Sequence, residues 1–191
     1  VSNPKKPVLL ANISMPSYGL VIRDMEIVDN TLFALSDDCL TIFDISNPSS
    51  PVNISKTKLS FTYGRQFGGP PKTLVIDGNY AYIITQFGEF VILDISDLDS
   101  PKITFSGLLP SMGYDALVAD NTLFVAGGVG GLFIYDISNK SSPLLISRYN
   151  ATLRCSMGLD FLDSNTLVVA DNLYGLHVLN VSDLNNVYEL C

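Results

Sequence analysis

The sequence predicts an all-β protein: a β-propeller of four four-stranded antiparallel blades, with a leading strand that belongs to a preceding blade. Three observations support this fold class. One short segment recurs along the chain, turn signals come about every 8 to 12 residues, and no stretch has a helical apolar period. Repeats of about 42 residues with these features are typical of propeller blades.

The composition is that of a folded chain with a sizeable apolar core. Hydrophobic residues make up 47% of the 191 residues and charged residues 16%. No apolar run approaches the roughly 18 to 20 residues of a membrane helix, so we expect no direct membrane insertion. The net charge of −8, from 11 Lys and Arg against 19 Asp and Glu, argues against nucleic acid and anionic lipid as partners.

The first repeated motif ends a strand with an aspartate and continues into a polar turn. It reads Asp-Ile-Ser-Asn-Pro-Ser-Ser-Pro at residues 44–51 and recurs at 94–101 and 136–143, with a weaker copy at 180–184. A carboxylate in this place can accept hydrogen bonds from the backbone of the following turn, so we interpret this aspartate as structural. Residues 1–7 resemble the tail of a further copy, which predicts that the chain begins inside a repeat.

A second motif keeps the same spacing and begins at Asn30, Asn79, Asn121 and Asn165. Each copy follows an Asp-Asn, Asp-Gly-Asn or Asp-Ser-Asn turn and is rich in β-branched and aromatic residues, which predicts the second strand of a hairpin. We letter the strands of a blade a to d from the channel outward. The first repeat then has strands at 21–28, 31–35, 40–45 and 52–59.

The two motifs together divide the chain. Residues 1–20 end a preceding blade, and the four blades follow at 21–60, 61–109, 110–152 and 153–191. We expect one apolar residue of each strand c to lie between neighbouring blades: Ile42, Ile92, Ile134 and Val178.

The two ends of the chain argue against a closed four-bladed ring. A leading strand at 8–13 and the start of an outer strand at 187–190 would compete for one edge of the last blade. We therefore expect an open arc that is part of a larger propeller. Its open blade edges and apolar flanks favour self-association.

The strand c segments resemble the LVIVD repeat family, whose units carry Gly-Leu-x-Ile-x-Asp-Ile-Ser-x-Pro after a Tyr-Ala-Tyr-Val-Ala strand. Residues 131–138 read Gly-Leu-Phe-Ile-Tyr-Asp-Ile-Ser, residues 90–96 have Phe for Leu, and residues 40–46 lack the Gly. Residues 175–182 are the most diverged, because Asn180 replaces the Asp. The resemblance covers nearly the whole chain, and it implies a β-propeller of secreted or surface-anchored proteins with no catalytic residues.

A ligand is expected on the side of the propeller that carries the d-to-a and b-to-c loops. The turns on the opposite side have nearly the same sequence in every repeat, whereas these loops differ from repeat to repeat. The d-to-a loops lie at 14–20, 60–72, 107–114 and 150–157, and the b-to-c loops lie at 36–38, 86–89, 127–130 and 171–175. Loop 61–71 combines aromatic residues with an Arg and suits binding, although its aromatics could instead fold back over the channel. The candidate residues for a protein or glycan ligand are Tyr18, Tyr63, Arg65, Phe67, Tyr114, Arg154 and Tyr174.

Three acidic residues fall near the start of strand a, which lines the channel of a propeller. Asp24 and Asp115 lie six residues before Asn30 and Asn121, and Asp160 lies within one place of that position. These residues could ring the channel mouth and hold a cation, or they could bond to the backbone of the adjacent blade. Thr73 breaks the ring in blade 2, and we predict no metal site and no cofactor.

The sequence gives little support for an enzyme. His177 is the one histidine, and the sequence contains no Gly-rich phosphate loop, GxSxG or HExxH motif. We therefore expect a non-catalytic binding module of a cell-surface or secreted protein. The alternatives are a structural spacer in a longer surface protein and a carbohydrate-active propeller that uses the channel carboxylates.

The cysteines and the glycosylation motifs bear on the location. Cys39, Cys155 and Cys191 have no metal-ligand spacing, so they are incidental thiols or include a single disulfide such as Cys39 to Cys155. N-x-S/T motifs begin at five positions where about two are expected by chance, which favours an extracellular or cell-surface protein. These positions are Asn12, Asn53, Asn139, Asn150 and Asn180.

Overall fold

The computed structural model describes residues 5–13, 21–59, 61 and 70–190. Sixteen strands form four antiparallel sheets of four strands each, and within each sheet the strands are hydrogen-bonded in chain order. These sheets are the four blades that the repeats predict. The described residues contain no helix with the length and apolar character needed to cross a membrane.

The strands follow the repeats closely. Blade 1 holds β1 (Ile22–Val28), β2 (Thr31–Ser36), β3 (Cys39–Asp44) and β4 (Val52–Lys58). Blade 2 holds β5 (Pro71–Asp77), β6 (Tyr80–Thr85), β7 (Glu89–Asp94) and β8 (Lys102–Leu108). Blade 3 holds β9 (Asp115–Ala119), β10 (Thr122–Ala126), β11 (Leu132–Asp136) and β12 (Leu144–Tyr149). Blade 4 holds β13 (Ser156–Asp163), β14 (Thr166–Asp171), β15 (Gly175–Asn180) and β16 (Tyr188–Glu189).

The hairpins between strands a and b form where the Asn motif predicts them. The residue before the Asn has a positive φ in the first three blades, at 53° for Asp29, 54° for Gly78 and 52° for Asp120. Glycine tolerates this left-handed conformation freely, and aspartate tolerates it better than most other residues. In blade 4 the Asp163 carboxylate instead accepts a hydrogen bond from the Asn165 N–H at 2.9 Å.

The aspartate that ends strand c has the structural role that the sequence predicts. The Oδ1 atoms of Asp44, Asp94 and Asp136 accept the backbone N–H two residues further on, at 2.7, 2.9 and 2.8 Å. Hydrogen bonds from Ser46 hold the pKa of Asp44 below its usual value. Asn180 makes the same turn contact in blade 4 at 3.1 Å.

The apolar core lies between successive blades in three layers. Ile42, Ile92 and Ile134 are fully buried, one in each layer, as predicted. The prediction for Val178 is wrong. It lies on the outer side of blade 4, where no described sheet packs against it, and it is only partly buried.

The innermost strands contact one another in the order β1, β5, β9 and β13. Among the described strands, β1 and β13 are not packed against each other in the way that β1 and β5, β5 and β9, and β9 and β13 are. The outer sides of the end blades expose apolar side chains, including Met25 in blade 1 at 66% and Leu176 in blade 4 at 71%. Residues 5–13, where a leading strand was expected, belong to none of the four sheets.

The cysteines that the structure describes are not paired. Cys39 is buried and Cys155 is half-buried, and both are free thiols, so the suggested disulfide between them is wrong. The Cys39 thiol lies 2.9 Å from the Ser36 hydroxyl inside blade 1. Cys191 lies outside the described residues.

Candidate functional site

The candidate binding surface is the side of the blades that carries the b-to-c turns and the d-to-a loops, which we call the loop face. Its described parts are residues 36–38, 86–89, 107–114, 127–130, 150–157 and 171–175. Four predicted ligand contacts, Tyr18, Tyr63, Arg65 and Phe67, lie outside the described residues. The structure places the other three, Tyr114, Arg154 and Tyr174, on the loop face.

Asp171 organises the loop face of blade 4. Its Oδ2 atom accepts the backbone N–H of Arg154 and of Cys155, both at 2.7 Å. Its Oδ1 atom accepts the backbone N–H of Leu173 at 2.8 Å and of Tyr174 at 3.1 Å. Burial opposes ionisation, but these four hydrogen bonds outweigh it and lower the pKa of Asp171. One carboxylate thus fixes the d-to-a loop and the b-to-c turn that present Arg154 and Tyr174.

The b-to-c turn of blade 3 is built from four glycines around Val129. Gly128 has a φ of +57°, and a Cβ on it would lie 2.7 Å from the Tyr114 ring. The Ser156 hydroxyl of blade 4 donates to the carbonyl of Gly131 at 2.8 Å. Glycine is therefore required at residue 128, both for its conformation and for the close approach of Tyr114. The turn holds Val129 and Tyr114 in fixed positions.

The tips of the b-to-c turns in blades 2, 3 and 4 expose apolar side chains. Phe87 is 43% exposed, Val129 68% and Tyr174 63%, and Leu173 is exposed beside Tyr174. Of these residues, only Tyr174 was predicted from the sequence as a ligand contact. In the sequence, each of these apolar residues lies one or two places before a glycine, namely Gly88, Gly131 or Gly175. In the structure each of these glycines has a positive φ and ends the turn that exposes the apolar side chain.

Two of the predicted channel carboxylates bond to the backbone of the next blade. Asp24 Oδ2 accepts the N–H of Leu74 at 2.7 Å, and Asp115 Oδ2 accepts the N–H of Leu159 at 2.8 Å. Alternate N–H groups of an innermost strand point away from strand b and need acceptors of this kind. The Thr73 hydroxyl bonds to Asp115, so blade 2 joins the same row.

A further acidic residue, Glu26, has the same role, although the sequence did not predict it. Glu26 Oε2 accepts the N–H of Ile76 at 2.7 Å, one rung along the strand from Asp24. Asp160 occupies the position in blade 4 that Glu26 occupies in blade 1. Glu26 pairs with Phe33 and Asp160 pairs with Val168, and both partners lie three residues after the Asn that precedes strand b. Within the described part of the chain, the one hydrogen bond of Asp160 is to the N–H of Phe161, at 2.8 Å.

Two carboxyl groups of this row, those of Glu26 and Asp115, have raised pKa values. Burial is the main cause of the raised pKa of Glu26 and of Asp115, and the charge of Asp24 raises both further. No three His, Cys, Asp or Glu side chains in the described ranges are grouped to hold a metal ion. The geometry of Asp24 and Asp115 is that of inter-blade hydrogen-bond acceptors.

His177 lies between blades 3 and 4, away from this row. Its Nδ1 atom is 2.6 Å from Glu189 Oε1, and its buried Nε2 atom has no hydrogen-bond partner among the described residues. Hydrogen bonds from Thr152 and then from His177 lower the pKa of Glu189. The arrangement ties the outer strand β16 to strand β15.

Four antiparallel sheets, packed through three layers with their innermost strands in a row, define a propeller-like repeat protein. The LVIVD repeat model matches residues 32–58, 68–107 and 114–151, which is more than half of the chain. The chain therefore belongs to the LVIVD repeat family, as the strand c motifs predicted. A comparison with curated proteins finds none that matches.

Solved structures share the fold at low sequence identity. The computationally designed Ika4 protein superposes with a TM-score of 0.67 at 14% identity, over 87% of this chain and 95% of that one. The designed Ika8 protein gives 0.70 at 14% identity, over 93% of this chain and 50% of that one. The periplasmic gluconolactonase PpgL of Pseudomonas aeruginosa gives 0.73 at 13% identity, over 90% and 53%. The chain thus spans about half of the last two proteins.

Proposed function

We propose that the chain is a non-catalytic recognition module that binds a protein partner through its loop face. The observation that carries this proposal is the row of exposed apolar tips, Phe87, Val129, Leu173 and Tyr174, on three successive blades. Aromatic and aliphatic side chains raised on a scaffold are the anchors that protein interfaces use. Arg154 is exposed, and its backbone is held by the same carboxylate as that of Tyr174, so Arg154 can supply a polar contact for the rim of the interface.

The rigidity of the loops supports this function. The four backbone hydrogen bonds of Asp171 fix Arg154 and Tyr174, and the glycine turn beneath Tyr114 fixes Val129. Loops that are ordered before binding lose less conformational entropy when a partner docks. The net charge of −8 favours a partner surface with basic groups around an apolar centre.

An extracellular or cell-surface location is part of the proposal. It is supported by the five N-x-S/T motifs, of which Asn12, Asn53, Asn139 and Asn150 are exposed. A non-catalytic role is supported by the channel row, because both oxygens of Asp24 and of Asp115 accept backbone hydrogen bonds. The 13% identity to a gluconolactonase supplies no residue-level argument for that activity here.

Replacing one exposed apolar side chain at the tip of each of the three turns should strongly weaken binding without loss of stability. We expect the triple variant Phe87→Ser, Val129→Ser, Tyr174→Ser to bind the partner at least about 100-fold more weakly, because anchors of this type dominate interface energies. The measurement is titration calorimetry with the partner captured from cell-surface extracts of the source organism. The matched control is Val52→Ser, Ile103→Ser, Leu144→Ser, which removes three exposed apolar side chains from outer strands. Equal losses in both triples would contradict a loop-face site.

We further propose that the outer sides of blades 1 and 4 pack against other blades, in a second copy or in a longer propeller. This is supported by the exposed Met25 and Leu176 and by Asp160, which has the register of Glu26 but bonds to no further blade among the described residues. It also agrees with the chain spanning about half of Ika8 and of the gluconolactonase.

One chain has a mass of 20.8 kDa. We expect the isolated chain to sediment as an oligomer of at least two copies, since exposed apolar flanks associate in water. Sedimentation velocity measures this directly. Leu176→Glu together with Leu162→Glu should shift the chain toward monomer, whereas Leu144→Glu on an outer strand should not. A compact monomer of the unmodified chain at all concentrations would overturn this packing.

A further inference from the structure

The opposite side of the molecule, which carries the a-to-b and c-to-d turns and which we call the turn face, has a groove between each pair of neighbouring blades. Between blades 1 and 2, Leu98 of the c-to-d turn packs against the core. Between blades 3 and 4, Leu184 does the same. A serine on the outer strand of the preceding blade holds each of these turns. The Ser55 hydroxyl donates to the Leu98 carbonyl at 2.5 Å, and the Ser147 hydroxyl donates to the Leu184 carbonyl. Two of the three grooves are thus partly filled by a leucine that is held by the same hydrogen bond.

The groove between blades 2 and 3 departs from this pattern at every one of these positions. Lys140 stands where the other two turns have leucine. Phe105 has the register of Ser55 and Ser147, since each pairs with the buried isoleucine of its strand c. Thr104 then takes the place of the core-packed Ile54 and Ile146. Leucine and isoleucine are thus replaced by lysine and threonine, whereas the serine is replaced by Phe105, which packs against the core.

Strand b of blade 2, which faces the Lys140 turn across this groove, contributes two further changes. Tyr80 and Tyr82 stand where blades 1 and 3 have a threonine and a phenylalanine. The Lys140 Nζ atom lies 5.4 Å from the Tyr80 ring centre and 5.7 Å from that of Tyr82. The Tyr82 hydroxyl is buried and has no hydrogen-bond partner among the described residues, and burial is the main cause of its raised pKa.

This groove contains a pocket of about 380 Å³, lined by Tyr80, Thr104, Ser138, Asn139, Lys140 and Ser141. The corresponding groove between blades 3 and 4, which keeps Leu184 and Phe124, has a volume of about 190 Å³. A pocket of the larger size accepts a ligand of about one or two sugar rings. Its lining combines an aromatic wall with hydroxyl, amide and ammonium groups.

We propose that the groove between blades 2 and 3 binds a neutral sugar. The Lys140 ammonium can swing from the Tyr80 ring to the hydroxyls of a bound sugar, and the apolar face of the pyranose ring can then pack on Tyr80. The remaining sugar hydroxyls can bond to Thr104 and Asn139. The charge balance favours a neutral ligand over an acidic one, because the chain has a net charge of −8 and Lys140 is the one cationic residue among the described residues that line the pocket. The site lies opposite the loop face and is independent of the function proposed there.

The test is an NMR titration of the ¹⁵N-labelled chain with glucose, galactose, mannose and glucuronate, each up to about 50 mM, a range that detects millimolar binding. We expect at least one neutral hexose to shift the amide signals of Tyr80 and of residues 138–141. Glucuronate should bind more weakly than that hexose. Absence of shifts with every neutral hexose, or stronger binding of glucuronate, would overturn the assignment.

The double variant Lys140→Leu, Thr104→Ile should weaken this binding at least tenfold. It restores residue types that the other two grooves hold at the same positions, so we expect the fold to tolerate it. The matched control is Ser182→Ala in the smaller groove, which should leave the binding unchanged. The loop-face triple variant should also leave it unchanged, so failure of either proposal can be told from failure of the other. Undiminished shifts in the double variant would show that the sugar binds elsewhere.

Discussion

Replacing Phe133 with alanine should lower the free energy of unfolding by about 3 to 5 kcal/mol, the usual range for a buried phenylalanine. Phe133 is fully buried in the layer between blades 2 and 3. The backbone of the glycine turn rests on its ring, since a Cβ on Gly127 would lie 2.2 Å from it and one on Gly130 would lie 2.7 Å from it. The Arg148 guanidinium lies over the ring at 5.6 Å. Loss of the ring therefore removes core packing and the support of the turn together.

Urea denaturation followed by circular dichroism measures this loss. Phe87→Ala is the matched control, because the Phe87 ring is 43% exposed on the loop face and its removal should cost less than about 1 kcal/mol. Similar midpoints for the two variants would show that the layer between blades 2 and 3 does not carry the stability assigned to it.

Replacing Asp171 with alanine should lower the free energy of unfolding by about 2 to 4 kcal/mol, because four backbone N–H groups lose their acceptor and some of them are shielded from water. Asp183→Ala is the control. Asp183 lies in a c-to-d turn, where its side chain accepts the N–H of Asn185 at 3.0 Å, and its loss should cost about 1 kcal/mol or less. Loop-face binding should fall in the Asp171 variant and stay unchanged in the control.

Asp171 also predicts a pH dependence. Its pKa is lower in the folded chain than the reference value of 3.8, so its carboxylate stabilises the fold above that pH. This contribution is lost as the pH falls below 3.8 through the folded-state pKa. Denaturation curves at pH 6 and at pH 3, which lie on either side of this reference, should differ less for Asp171→Ala than for the unmodified chain. An equal or larger difference in the variant would contradict the role given to this carboxylate.

The strands and hairpins could be predicted from the sequence because their causes are local. Asp29, Gly78 and Asp120 mark a turn by their own conformational preferences, and the strand bounds in the first repeat agree within one residue. The burial of Ile42 follows from period-two alternation within a repeated blade. That of Val178 could not be predicted in this way, because it depends on whether another sheet lies beyond blade 4.

The candidate site was predicted less completely, because its contacts join segments that are distant in sequence. Asp171 holds N–H groups 16 and 17 residues before it, and Glu26 bonds to an N–H 50 residues away. No local pattern marks either residue. The exchange of leucine for Lys140 was visible in the aligned repeats, but its consequence for the groove depends on Tyr80 in the neighbouring blade.

Site-specific photo-crosslinking tests the proposed recognition surface most directly. A photoreactive phenylalanine analogue is placed in turn at Val129 and at Tyr174 on the loop face, and at Val52 and Leu144 on outer strands, all of which are exposed. The intact chain is then irradiated on the surface of the source cells. We predict that Val129 and Tyr174 crosslink to one common protein and that Val52 and Leu144 do not. Crosslinks to that protein from the outer-strand positions alone, or none from the loop face, would contradict the recognition function.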